Sequence, residues 1–139
     1  MSTSPERPDT AVDEPDARDR PALQVGEVAE RVGLSHRTVR YYDDEGLLSA
    51  VRSAGNYRLY SEADVQRMLL IRRLKPLGYS LEEMRGLLTL LDPRPGDERT
   101  VDTARVQEVL TDLQHRRDRL AEQLAGADAV LDALHGLRG

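Results

Sequence analysis

Residues 23–48 read LQVGEVAERVGLSHRTVRYYDDEGLL, and residues 55–88 read GNYRLYSEADVQRMLLIRRLKPLGYSLEEMRGLL. The first stretch has two short segments with helical apolar periodicity, which predict helices over about 26–32 and 36–45. Gly33 is placed as a left-handed cap that ends the first helix, and Ser35 is placed to cap the N-terminus of the second. The second helix is about 15 Å long, enough to cross a major groove of DNA.

A hairpin and two further helices are predicted to follow. Gly55-Asn56 lies between two short extended segments, and both residues tolerate positive φ, so the pattern favours a hairpin. The motifs SEAD at 61–64 and SLEE at 80–83 are capping boxes, with Asp in place of Glu or Gln in the first. The helix that begins at the first capping box is predicted to end at Pro76 and Gly78, before the second capping box. The predicted fold is mainly α: a winged helix-turn-helix domain with a small β-hairpin wing.

The second helix carries side chains suited to DNA bases and phosphates. Helical spacing turns Val39 and either Tyr42 or Asp43 toward the core. The side chains left exposed near its N-terminal half are His36, Arg37, Thr38, Arg40 and Tyr41. Arginine binds guanine through two hydrogen bonds, and threonine and tyrosine reach phosphates or a thymine methyl group. Any one of these residues could instead be an ordinary solvent-exposed side chain that contacts no DNA. That alternative explains the occurrence of the whole set together poorly.

Basic residues also follow in the hairpin and the third helix. The hairpin has Arg52, Tyr57 and Arg58, which suit the phosphate backbone or the minor groove. The third helix adds a basic stripe of Arg67, Arg72, Arg73 and Lys75, for which a solvated helix face is an equal alternative. We also expect the stem of Arg72 to face inward. The acids at 43–45 should point away from phosphates.

A long helix is predicted after the Pro- and Gly-containing loop DPRPGDERTVD at 92–102. Its apolar residues alternate at spacings of four and three: Val106, Leu110, Leu113, Leu120, Leu124, Ala127, Leu131 and Leu134. This heptad pattern requires a partner, and a second copy of the chain is favoured over packing against its own domain. Arg117 fills the one gap in the pattern. Gly126 is expected to break the helix, so that residues 128–136 fold back.

Composition limits the function classes. The 139 residues include no cysteine, which excludes disulfides, thiolate metal sites and cysteine redox sensing in this sequence. The net charge of −5 is unevenly distributed: residues 23–79 have nine basic and seven acidic residues, whereas the flanks are acidic. The positive balance therefore falls on the predicted DNA-binding segment. Residues 1–22, with four prolines, are expected to form a disordered tail.

Other features bear on location and catalysis. Neither an apolar run long enough to span a membrane nor a signal-peptide core is present, so we expect a cytoplasmic protein. The sequence suggests no cofactor. It also lacks a clustered nucleophile–base pair, a metal motif and a phosphate loop, so an enzyme is not expected.

The blocks VGEVAERVGLSHRTVRYYDDEGLL and NYRLYSEADVQRMLLIRRLKPLGYSLEEMRGLL, with the separation between them, resemble the mercury-resistance regulator (MerR) family. The resemblance covers residues 23–91 closely and the following long helix in general plan. Gly55-Asn56 stands where the family often has Asn-Gly, which implies a different turn type without loss of the wing. The expected organisation is a tail (1–22), the DNA-binding domain (23–91), a linker loop (92–102) and a coiled-coil dimerisation helix with a short C-terminal segment (103–139).

The resemblance implies a transcription regulator that acts as a homodimer joined by an antiparallel coiled coil. It implies binding to a palindromic promoter element and action on RNA polymerase through bending and undertwisting of the promoter spacer. The positions for which the resemblance implies DNA contacts are Arg37, Thr38, Arg40, Tyr41, Arg52, Tyr57, Arg58 and Lys75. The metal- and redox-sensing branches use cysteines and the drug-sensing branches add a large ligand domain, so neither kind of signal is expected here. The alternative function is an architectural DNA-binding protein with the same fold.

Overall fold

The computed structural model describes residues 17–95, 97 and 102–139, in two compact units, of which one ends at Arg73 and the other begins at Leu74. Within these residues the helices and strands are α1 (Val25–Val32), α2 (His36–Asp44), β1 (Val51–Arg52), β2 (Arg58–Leu59), α3 (Glu62–Leu74), α4 (Leu81–Leu91) and α5 (Thr103–Leu137). Single 3-10 turns lie at Ala17–Asp19 and Lys75–Leu77. The predicted mainly helical fold with a small hairpin is confirmed.

Helices α1 and α2 are bounded by the predicted caps. Gly33 has φ 72°, the left-handed conformation that ends α1. The Ser35 hydroxyl accepts a hydrogen bond from the backbone N–H of Thr38 at 3.1 Å, which satisfies one of the free donors at the start of α2. Val39 is fully buried and Tyr42 is 6% exposed, so of the two candidates for the second core position it is the tyrosine that turns inward.

The hairpin forms as an antiparallel pair in which Val51 is opposite Leu59 and Arg52 is opposite Arg58. Its turn uses Asn56 at φ 67°, a conformation that asparagine tolerates better than most residues. Tyr60, just after β2, donates its backbone N–H to the Leu23 carbonyl at 2.7 Å, and its own carbonyl accepts from the Leu23 N–H at 2.9 Å. The wing is therefore held to the segment before α1, because Leu23 forms an isolated antiparallel β-bridge with Tyr60.

The structured part of the chain begins before residue 23. The backbone N–H of Ala22 also donates to the Tyr60 carbonyl, at 2.9 Å. Of the predicted tail, residues 1–16 lie outside the described residues. Of the predicted linker, residue 96 and residues 98–101 lie outside them as well. Asp97 accepts a hydrogen bond from the Arg94 backbone N–H at 2.7 Å.

Both predicted capping boxes are confirmed. At the start of α3, Ser61 and Asp64 exchange hydrogen bonds between side chain and backbone N–H, each at 3.1 Å. At the start of α4, the Ser80 N–H donates to Glu83 at 2.8 Å, and the Glu83 N–H donates to the Ser80 hydroxyl at 3.1 Å. Each pair satisfies two donors that a helix start otherwise leaves free.

Helix α4 belongs with α5, not with the first unit. The Arg116 guanidinium of α5 lies 3.9 Å from the centre of the Tyr79 ring and donates to the Leu77 carbonyl at 3.0 Å. It also donates to Asp112 at 2.8 Å, and this hydrogen bond lowers the pKa of the Asp112 carboxyl. One arginine thus fixes the first half of α5 against the start of α4 by a cation–π contact and hydrogen bonds. The boundary between the two compact units falls at the end of α3, between Arg73 and Leu74.

The expected break at Gly126 is wrong, because α5 is one continuous helix from Thr103 to Leu137. An interior glycine costs about 1 kcal/mol relative to alanine, and this local penalty does not outweigh continuation of the flanking helix. A Cβ added at Gly126 would meet no heavy atom within 4 Å.

We predict that Gly126→Ala stabilises the folded protein by about 1 kcal/mol, because the backbone is helical and the space is open. Urea unfolding followed by far-UV circular dichroism, at one fixed protein concentration, measures the change. The matched control is Ala125→Gly at the neighbouring exposed position, which should destabilise by a similar amount. Destabilisation by Gly126→Ala would indicate a turn at this residue instead.

Candidate nucleic-acid interface

Helix α2 presents a polar face to solvent. Arg37, Arg40 and Tyr41 are exposed, and Thr38 is half-buried beside Ser35, whose hydroxyl lies 2.9 Å from the Thr38 hydroxyl. The Tyr41 ring meets the buried Tyr42 ring edge-on, with centroids 5.1 Å apart. The exposed tyrosine is thus supported by the core, which reduces the conformational freedom it would lose on contact with DNA.

An open groove brings residues of α2 and the wing together. Its lining includes four predicted DNA-binding residues, namely Arg40, Arg52, Tyr57 and Arg58, together with Gln24, Val25 and Asn56. Arg40 and Arg52 bring positive charge to this groove, whereas the charge of Arg58 is offset by its ion pairs with Asp43 and Asp44. Residues that are far apart in sequence are therefore neighbours in the fold.

The wing residues differ in how firmly they are held. Tyr57 is 64% exposed, and its ring lies beside Gly55 of the turn, where an added Cβ would be 2.9 Å from it. Arg52 folds over its own turn and donates to the Asn56 carbonyl at 3.1 Å. Ser53 closes the turn, because its hydroxyl accepts from the Tyr57 N–H at 3.1 Å and its N–H donates to the Tyr57 carbonyl at 2.8 Å. The tip is thus a closed turn with an aromatic ring at its surface.

Arg58 ties the wing to the end of α2. Its guanidinium pairs with Asp43 at 3.1 Å and with Asp44 at 2.9 Å, and it donates to the Arg40 carbonyl at 3.3 Å. The other oxygen of Asp43 accepts from the Ala50 N–H at 3.3 Å. Both acids thus contact protein groups of the wing segment. Sequence reasoning missed their role as anchors of the wing, which depends on contacts across 15 residues.

The predicted basic stripe on α3 needs correction. Arg67 is buried, with 8% exposure, and its Nε donates to the Leu47 carbonyl at 2.7 Å. It therefore serves the core. Arg72, whose stem was expected to face inward, is exposed instead, and Ile71 and Leu74 take the inward positions. The inward position was assigned one residue too late along the helix. A shift of one residue turns a side chain to a different face, so the buried residue is Ile71 and Arg72 is exposed.

The remaining predicted residues lie in the second unit. Lys75 is exposed on the 3-10 turn that follows α3. The predicted dimerisation residues lie along α5, where Val106 and Leu113 are half-buried and Leu110, Leu120 and Leu124 are exposed. In the part of the chain that the structure describes, nothing covers this row of apolar side chains beyond the first half of the helix.

The described residues contain neither a metal site nor a membrane-spanning helix. They contain no group of three or more His, Asp or Glu side chains arranged to hold a metal ion. None of their helices is both long and apolar enough to cross a membrane.

Comparison with known proteins gives consistent matches along the chain. Residues 23–91 match the family described as MerR HTH family regulatory protein, and residues 65–137 match the family described as MerR, DNA binding. The HTH-type transcriptional regulator HmrR of Rhizobium leguminosarum bv. viciae is 34% identical over 115 residues, which cover 82% of this chain and 88% of that protein. The HTH-type transcriptional regulator ZntR of Escherichia coli K12 is 33% identical, with 81% of each chain covered.

A solved structure agrees with this assignment. HiNmlR, a MerR family regulator lacking the sensor domain and bound to promoter DNA, superposes with a TM-score of 0.60 at 26% identity. The superposition covers 79% of this chain and 78% of that one. The matched segments include the polar face of α2, the wing and the long helix. The chain belongs to the MerR family of DNA-binding transcriptional regulators.

Proposed function

We propose that the protein acts as a homodimer that recognises a palindromic promoter element through α2 and the wing of each copy. The groove lined by Arg40, Arg52 and Arg58 carries this proposal, because it joins the recognition helix and the wing in one continuous surface that bears arginine side chains. Base contacts come from α2, with Arg37 as the leading candidate, while the wing holds phosphates.

The homodimer is supported by α5. Leu124 is 64% exposed and Leu134 is 54% exposed, although both belong to a regular heptad row. Exposed leucines in such a row are typical of a coiled-coil surface without its partner. A symmetric dimer places two recognition helices on an inverted repeat, as in other dimeric helix-turn-helix proteins.

Regulation is proposed to act through the DNA. A dimer that bends and undertwists the spacer changes how RNA polymerase meets its promoter, and no direct polymerase contact is required. Such a protein binds chromosomal DNA, which in bacteria lies in the cytoplasm, and we therefore propose a cytoplasmic location. No catalytic step enters this proposal.

In vitro selection of bound fragments from a fragmented genome tests the mode of binding. We expect discrete sites, each an inverted repeat within a long promoter spacer, and protection from nuclease by one dimer. A topological assay on closed circular DNA carrying one site should show a change in linking number. Continuous coverage without half-sites would instead favour an architectural protein.

We predict that Arg37→Ala weakens binding to the selected site by roughly 10- to 100-fold and affects a scrambled duplex much less. The loss corresponds to one bidentate base contact, worth about 1–3 kcal/mol. Fluorescence anisotropy with the two duplexes measures it at one salt concentration. The control is Arg119→Ala on α5, which should change neither affinity. Equal losses on both duplexes would mean that Arg37 touches only the backbone.

We predict that Arg58→Ala weakens binding to all duplexes and lowers the slope of log K against log salt by about 0.9, because one phosphate is no longer neutralised. Asp43→Asn separates this effect from anchoring, because it removes an anchor of the wing and keeps the Arg58 charge. If both variants lose affinity equally and neither changes the slope, then Arg58 acts only by positioning the wing.

A further inference from the structure

The row of side chains along α5 indicates how two copies of the helix align, as well as that the helix needs a partner. Its members are Val106, Leu110, Leu113, Arg117, Leu120, Leu124, Ala127, Leu131 and Leu134, here called the seam. Two of them are not large and apolar. Arg117 is long and charged, with its side chain 73% exposed and paired at 3.1 Å with the adjacent Asp118. Ala127 has the smallest side chain of the seam.

A parallel pairing of two seams is unfavourable. In a parallel dimer each seam position meets the same position of the partner. Arg117 would then face the partner's Arg117, which places like charges together where solvent is reduced. Ala127 would face the partner's Ala127 and leave a gap between the helices.

Antiparallel pairing sets alternate seam positions against each other. Positions equivalent to Leu110, Arg117 and Leu124 then face positions equivalent to Leu113, Leu120 and Ala127 of the partner. Two alignments overlap the seams equally well, and further shifts leave more leucines uncovered. In one, Arg117 faces the partner's Leu120. In the other, it faces the partner's Ala127.

Side-chain size and charge choose between these alignments. When Arg117 faces the partner's Leu120, two long side chains compete for one layer, and Leu110 faces the partner's Ala127, which is small. In the other alignment the remaining layers are all leucine pairs, formed by residue 110 with 134, 113 with 131, and 120 with 124. The arginine stem then passes over an alanine, which leaves room for its guanidinium to reach the edge of the interface.

An acid lies at that edge. Asp128 follows Ala127 directly, is exposed, and lies at the flank of the seam. We propose the alignment of the two seams in an antiparallel homodimer: Arg117 packs on the partner's Ala127 and pairs with the partner's Asp128. The two-fold axis then passes between Leu120 and Leu124. This alignment rests on the proposed homodimer and specifies its interface.

Cross-linking tests the alignment directly, because the natural sequence has no cysteine that would interfere. Full-length chains carrying Arg117→Cys and Ala127→Cys are coexpressed under different tags and oxidised. A disulfide requires Cα atoms roughly 4.4–6.8 Å apart, so only facing positions react. We expect a covalent heterodimer from this pair. Efficient cross-linking of Arg117→Cys with Leu120→Cys would establish the other antiparallel alignment, and cross-linking of Arg117→Cys with itself would establish a parallel dimer.

Charge exchange tests the ion pair. Arg117→Asp and Asp128→Arg should each raise the dimer Kd by about tenfold, since each dimer has two copies of the pair. The double variant should return to within about threefold of the natural chain in sedimentation equilibrium. The control combines Arg117→Asp with Asp132→Arg, an exposed position away from the partner's Arg117, and should not recover.

The outcomes distinguish this inference from the proposed function. A chain that stays monomeric at all concentrations overturns the homodimer itself. A dimer that binds the inverted repeat but cross-links through residues 117 and 120 overturns only the alignment. Failure of the double charge exchange to recover, with cross-linking at 117 and 127 intact, overturns the ion pair.

Discussion

The buried carboxylate of Asp64 is the group on which the DNA-binding unit depends. It is 1% exposed, and a carboxylate at that depth is tolerated only when hydrogen bonds satisfy it. One oxygen accepts from the N–H and the hydroxyl of Ser49, at 3.1 and 3.2 Å, and the other accepts from the Ser61 N–H at 3.1 Å. Ser49 follows the recognition helix and Ser61 follows the wing, so one side chain fixes both ends of the hairpin. Removal of this acid would leave several buried donors unsatisfied at once.

A second aspartate, nearer the surface, also links separate segments through both of its carboxylate oxygens. Asp43 accepts from the Ala50 N–H with one oxygen and pairs with Arg58 through the other, which joins the end of α2 to β2 and to the residue before β1. Burial also raises the pKa of the Tyr60 hydroxyl, so the fully buried ring beside this network stays neutral. The recognition helix and the wing are consequently held in one arrangement before DNA arrives. Less of the binding free energy is then lost to ordering the protein.

The features predicted correctly from sequence are those that a few adjacent residues determine. Gly33, Ser35 and the motif at 80–83 bound their helices through contacts within three or four residues, and each was found in place. The roles of Arg67 and Asp43 depend on partners 20 and seven residues away, and no local pattern separates them from exposed residues of the same type. The error at Gly126 has the opposite origin. A local preference was given too much weight against a helix of 35 residues.

In the proposed homodimer, the alignment of the two seams helps to set the distance between the two recognition surfaces. A shift from one antiparallel alignment to the other moves equivalent points of the two chains by about seven residues, or roughly 10 Å along the helix axis. That distance corresponds to about three base pairs of DNA. A dimer with two alignments of similar stability would therefore recognise two half-site spacings. An arginine in the seam costs stability compared with leucine, yet leucine at position 117 would make the alternatives more nearly equal. In the proposed alignment, Arg117 thus favours one half-site spacing over the other, which would suit a regulator that acts on a spacer of defined length.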